Sequence, residues 1–134
     1  MAMKLGKSNT IAGKLQVFVN RCLRKICCIF FPDVISNENL LTLTAQIPVS
    51  TEIGRRKWKW IGHTLRKKPP DIAYQAMSWR PPGKRKPGGQ FATWQSSVRR
   101  EAAQQGVVWN QLSHLAENRV RWKSFVDTLR FIEE

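Results

Sequence analysis

Carboxylates are almost missing from the middle of this chain. Between Arg55 and Arg100 the only acid is Asp71, set against thirteen Lys and Arg, and the other two aspartates, Asp33 and Asp127, lie far away in sequence. Two-metal phosphoryl transfer needs carboxylates gathered around Mg²⁺, and no acidic pair here supplies them. A phosphate-binding GxxxxGK[ST] loop and a GxSxG nucleophile elbow are also lacking. Cysteine is scarce: three residues, two of them adjacent at Cys27 and Cys28. An odd, clustered set argues against a disulfide framework and for reduced, buried thiols in an intracellular protein. Long apolar runs are absent too. Arg21, Arg24 and Lys25 interrupt the best candidate, and the N-terminus has neither a continuous apolar segment nor a small-residue cleavage site. Neither membrane span nor signal peptide is expected. IPVSTE is too short for a domain linker, and no internal repeat occurs.

What is present is cationic charge with interleaved indoles. The formal charge is +14 over 134 residues, and the Arg55–Arg100 stretch holds nearly all of it together with Trp58, Trp60, Trp79 and Trp94. So one-sided a block repels itself unless a polyanion neutralises it. Cations with aromatic faces among them are how sequence-tolerant nucleic-acid binders work. The same tryptophan spacing also fits packing against a core. Hydrophobic content of 42% is enough for a folded domain.

Helical periodicity runs along most of the chain. After an arm at 1–11, the apolar positions Leu15, Phe18, Cys22, Ile26, Ile29 and Phe30 predict a helix from Ala12 to Phe31, closed by Pro32. Ser36 is placed to cap a short helix to Thr44 that buries Leu40, Leu41 and Leu43. Thr51–Lys67 reads as a helix with Ile53, the stem of Lys57, Trp60, Ile61 and Leu65 inward. Within it Gly54 and Gly62 either weaken the helix or admit a close neighbour. Pro69 and Pro70 end it, and Asp71 caps a helix to Ser78 with Ile72, Ala73, Ala76 and Met77 inward. The segment 80–90 (RPPGKRKPGGQ) has nothing to bury and reads as a mobile basic loop. Thr93 caps a helix to Gln105, with Gly106 as its stop. Helices near Trp109–Ala116 and Asn118–Phe131 follow, burying Trp109, Leu112, Leu115, Trp122, Phe125, Val126 and Leu129. The expected fold is all-α: an irregular bundle of five to seven short helices. The expected layout is a flexible arm at 1–11 and one helical domain at 12–134. Within that domain, 12–47 holds the first helices, 48–79 the basic Trp-rich helices, 80–91 the basic Pro/Gly loop and 92–134 the C-terminal helices.

The candidate chemistry is binding. Arg55, Arg56, Lys57, Lys59, Arg66, Lys67, Lys68, Lys84, Arg85, Lys86, Arg99 and Arg100 offer guanidinium forks and ammonium points to phosphate. Trp58 is the candidate stacking face, while Trp60 is expected to pack inward. His63 reads either as a base or phosphate contact or as a partly buried, hydrogen-bonded histidine, and His114 as the latter. Cys22, Cys27, Cys28, His63 and His114 lack the paired spacing of a structural zinc site, so free thiols and no metal or cofactor are expected. The CCIFF run has more apolar bulk than one helix face needs, which makes Leu15–Phe31 a second candidate surface, for a protein partner or self-association.

Several strings taken together, LQVFVNRCLRKI, PDVISNENLL, RRKWKWIGHTLRK, PPGKRK and VVWNQLSHLAENRVRWKSFVDTL, resemble the C-terminal region of non-LTR (LINE-type) retrotransposon endonuclease-reverse transcriptase polyproteins. The resemblance runs from Gly13 to Leu129 and is strongest at the RR-W-W-GH-LR string. It implies thumb-like first helices and a basic remainder that helps hold template RNA or target DNA. Arg55, Arg56, Lys57, Lys59, Arg66, Lys84, Arg85 and Lys86 would lead the contacts, with Trp58, Trp60 and His63 sharing packing and binding. The palm's paired catalytic aspartates have no counterpart, so the resemblance implies no polymerase activity in this chain alone. Pro87-Gly88-Gly89-Gln90 and Asn118 depart from the family's pattern and imply a truncated or captured copy. The resulting expectation is a non-catalytic, electrostatic nucleic-acid binder, RNA favoured over DNA, acting in the nucleus or cytoplasm. The alternative is a helical protein-interaction fragment.

Overall fold

Side-chain caps decide where the helices of this chain begin. The structure, a computed structural model, describes residues 11–89 and 93–131. Among these it has seven helices and no strand: α1 (Ile11–Ile26), α2 (Asn37–Leu43), α3 (Val49–Arg66), α4 (Ile72–Ser78), α5 (Trp94–Ala103), α6 (Trp109–Glu117) and α7 (Arg119–Thr128). The fold is all-α, as the periodicity predicts. Most of the arm expected at 1–11, Gln90 and Phe91 at the end of the expected basic loop, and Ala92 after it lie outside the described residues.

Ser36 Oγ accepts from the Asn39 amide at 3.2 Å, and the Asp71 carboxylate accepts from that of Tyr74 at 3.2 Å. Thr93 and Ser96 cap each other reciprocally: Oγ1 of Thr93 takes the Ser96 N–H at 3.1 Å, and Oγ of Ser96 takes the Thr93 N–H at 2.8 Å. Asn118 Oδ1 accepts from both Val120 and Arg121. Each of these bonds satisfies a donor that the first helical turn leaves orphaned.

Three helices end in left-handed residues. At the end of α1 the Cys28 N–H reaches the Lys25 carbonyl and the Ile29 N–H reaches that of Arg24, with Cys28 at φ 54°. Ala45 (φ 53°) closes α2 and Gly106 (φ 69°) closes α5 with the same pair of bonds. The end of α1 at Ile26 corrects the expected run to Phe31: the chain turns at Cys28, well before Pro32 could act. It also corrects the expected burial of the thiols, since Cys28 is exposed and Cys22 and Cys27 are only partly covered. All three cysteines are free.

The chain divides into two compact units, Met1–Gly54 with Phe131–Glu134, and Arg55–Arg130. In the first, α1 packs on α2 through its polar side. Gly13 and Asn20 are buried, Gln16 donates to Asn20 at 2.9 Å, and its Oε1 accepts the Val49 N–H at 2.7 Å, capping α3 from another helix. Arg24 holds the α1–α2 connection by donating to the Ile35 carbonyl and to Asn37 Oδ1. The expected inward face of α1 is therefore turned outward: Phe18 is 62% and Ile26 76% exposed, with Leu15 and Phe30 also open. In α2 Leu40 is fully buried, whereas Leu43 is exposed. At Gly54 the ring of Phe131 lies where a Cβ would stand.

The second unit is built on Trp58. It is completely buried, edge-on to Phe125 (centroids 5.5 Å, 82°) and tilted against Trp122 (5.8 Å). Trp122 Nε1 donates to the Trp58 carbonyl at 3.0 Å, and its indole occupies the space over Gly62 where a Cβ would stand. On the other side, Trp58 Nε1 donates to Glu101 of α5, whose second oxygen takes the Lys57 ammonium at 2.6 Å. Ile61, Val98, Ala102, Leu112, Ala116, Val126 and Leu129 complete the core. The inward face of α3 is thus Trp58, Ile61 and Gly62, one position round from the expected Ile53–Lys57–Trp60 line. The bare backbone at Gly62 lets an indole lie against the helix, and this contact outweighs the larger apolar side chains. In α4 Met77 is buried as expected but Ile72 is exposed. No helix among the described residues is long and apolar enough to cross a membrane.

Candidate nucleic-acid interface

Turning Trp58 inward turns a row of cations outward. Arg55, Lys59, His63 and Arg66 recur at four, four and three residues on α3, a stripe about 16 Å long at 1.5 Å per residue. Trp122 on Gly62 brings α7 alongside, and with it Arg119 and Lys123, one turn apart on that helix. The six side chains line a groove of about 660 Å³ floored by Trp122 and Val126. Five permanent cations and an exposed imidazole thus face one carboxylate, Asp127. No salt bridge engages Arg55, Lys59, Arg119 or Lys123 among the described residues. Arg66 donates to the Ala116 carbonyl at 3.1 Å, a guanidinium anchored at the C-terminal turn of α6, where helix carbonyls favour positive charge. The groove can accept an extended polyanion: phosphates along its rims, apolar atoms on its floor.

The other expected cations sit elsewhere. Lys57 is neutralised by Glu101. Lys67 pairs with Asp71 at 3.4 Å, and with Lys68 it borders a separate shallow depression near Ile72. The Asp71 carboxyl is held below its ordinary range chiefly by the Tyr74 backbone N–H, with the Lys67 ammonium assisting. Arg99 lies 5.5 Å from the ring centre of Trp109, a cation–π contact. Arg56 and Arg100 are exposed, and each is engaged by another group. Lys84, Arg85 and Lys86 stand exposed on their loop, and none lines the groove.

Trp58 needs correcting as a stacking candidate. With 0% exposure and its indole N–H given to Glu101, it has no face to offer a base. The expectation for Trp60 reverses with it. It is 48% exposed and meets Trp94, itself 43% exposed, edge-to-face at 6.2 Å. His63 is exposed at the groove, and His114 is exposed beside Glu117, so neither is the partly buried histidine of the second reading. Among the described residues no three His, Cys, Asp or Glu side chains gather as they would around a metal ion. Arg119 and Lys123 escape the sequence reading, although their one-turn spacing around Trp122 is a signal that could have found them. Comparison with protein-family models, with curated proteins and with solved structures finds no match to this chain.

Proposed function

We propose that the α3–α7 groove binds nucleic acid through its phosphate backbone, RNA or another single strand in preference to duplex DNA, with no catalytic step of its own. The observation that carries this reading is the convergence of Arg55, Lys59, Arg66, Arg119 and Lys123 on one groove with a single facing acid. Cations held together with no salt bridge among the described residues release counterions from a polyanion when they bind it, which gives affinity with little sequence preference. The resemblance of residues 13–129 to the C-terminal region of LINE-type reverse transcriptase polyproteins points the same way, to a retroelement-derived module that works in the nucleus or cytoplasm. The test is binding of labelled RNA across a salt series. With five phosphates neutralised, log K falls against log salt with a slope of about −3.5 for a single strand. A flat line would sink the reading. Charge reversal at Arg55 with Lys59, or at Arg119 with Lys123, shallows the slope without lowering the thermal midpoint. Reversal at Lys84 with Arg85, outside the groove, does less.

A second reading rests on α1. Ile11, Leu15, Phe18, Cys22 and Ile26 form one stripe that is largely open to solvent, more contiguous apolar surface than an isolated side chain explains. On this reading the chain is an interaction or self-association fragment. Light scattering separates the two: an oligomer dispersed by Phe18→Glu and indifferent to RNA favours it over the first.

A further inference from the structure

We infer that Trp60 and Trp94 together form a stacking platform for an unpaired nucleobase, beside the phosphate groove and distinct from it. This rests on the nucleic-acid reading above and adds a second, uncharged contribution to it. Two large aromatic side chains from different helices meet at 6.2 Å with their planes at 78°. Each nevertheless stays close to half exposed, while Trp58, two residues from Trp60, is entirely buried. A soluble core gains by covering indoles, and this pair is left out of it. An edge-to-face pair uses the face of one ring and the edge of the other, so flat π surface remains toward solvent.

Position supplies the occupant. His63 at the groove follows Trp60 by three residues, about 60° round the helix, and Arg56 precedes Trp60 by one turn. A strand whose phosphates follow Arg55, Lys59 and His63 therefore carries its bases within reach of the Trp60 ring. Such surroundings suit a base attached to an anionic backbone better than an apolar protein face, for which cations at the rim are costly to desolvate. Trp94 is held at the first position of α5 by the Thr93–Ser96 capping pair, so it meets Trp60 without its own side chain being packed away. Stacking of this kind is tolerant of base identity because every base has a π face.

The test compares a short labelled oligoadenylate with an abasic strand of the same length and charge, using the full chain. The wild type is expected to prefer the strand with bases by roughly 5- to 100-fold. Trp60→Leu keeps apolar contact with Trp94 but removes the flat face. It is expected to abolish that preference while leaving both the salt slope and the thermal midpoint unchanged. Trp60→Phe retains most of the preference. Equal binding of the two strands by the wild type, or a Trp60→Leu protein that still prefers bases, overturns the platform while the groove reading stands. Absence of salt-dependent binding to either strand overturns the groove reading itself. If Trp60→Leu instead changes the oligomeric state and leaves base preference intact, the tryptophans serve a protein contact and the platform is wrong.

Discussion

Gly62 is where local preference and tertiary packing oppose each other most directly. By helix propensity alone, replacing a mid-helix glycine with alanine stabilises by about 1 kcal/mol. Here the added methyl would fall inside the Trp122 indole, whose N–H is fixed on the Trp58 carbonyl. Gly62→Ala is therefore expected to destabilise by about 1–3 kcal/mol, the range for overpacking a closed core. Urea unfolding decides the sign. Cys28 presents the reverse case. It holds a left-handed conformation at the end of α1 with an exposed side chain and no disulfide, a conformation that disfavours any residue with a Cβ. Cys28→Gly is expected to gain about 0.5–1 kcal/mol in the same measurement.

At the scale of elements, starts were legible and faces were not. Ser36, Asp71, Thr93 and Asn118 begin helices, and Gly106 ends one, because a cap is satisfied within a few residues of itself. Which side of a helix is buried depends on what arrives from elsewhere. The apolar stripe of α1 is the expected one, yet Gln16 and Asn20 take the inner side through bonds that no periodicity announces. On α3 the glycine that admits Trp122 shifts the inner face, exchanging the roles of Trp58 and Trp60. The groove was half legible for the same reason: the cations of α3 stood out as a run, but their partners Arg119 and Lys123 lie more than fifty residues away. The cap of α4 gives a pH dependence. Because the Asp71 carboxyl is lowered in the folded state, its contribution is fully present above the ordinary value of 3.8 and is lost as pH falls through the lowered value. The thermal midpoints of wild type and Asp71→Ala are therefore expected to differ at neutral pH and to converge below that range.

Over the whole molecule, charge works against folding until something answers it. A formal +14, with cations crowded along one groove, raises the free energy of the compact state through self-repulsion. Salt screens that repulsion, since the Debye length falls from about 30 Å at 0.01 M to about 10 Å at 0.1 M. The thermal midpoint is expected to rise with added salt over this range, and to rise further with a polyanion such as heparin at concentrations where salt alone does little. Reversing both Arg119 and Lys123 should flatten the response to salt. A midpoint that falls on adding salt would mean that ion pairs such as Lys57–Glu101 outweigh the repulsion.

The indole seated on Gly62 also bears on how such a site is inherited. Apart from Arg66, held on the Ala116 carbonyl, each cation stands on an outward position, so on the proposed function descendants of this sequence can lose charges singly and bind a little less tightly each time. The glycine and the tryptophan beneath them permit no such gradual path, because a change at either weakens the core and disturbs the alignment of both cationic helices in one step. What a lineage must keep in order to keep this groove carries no charge at all.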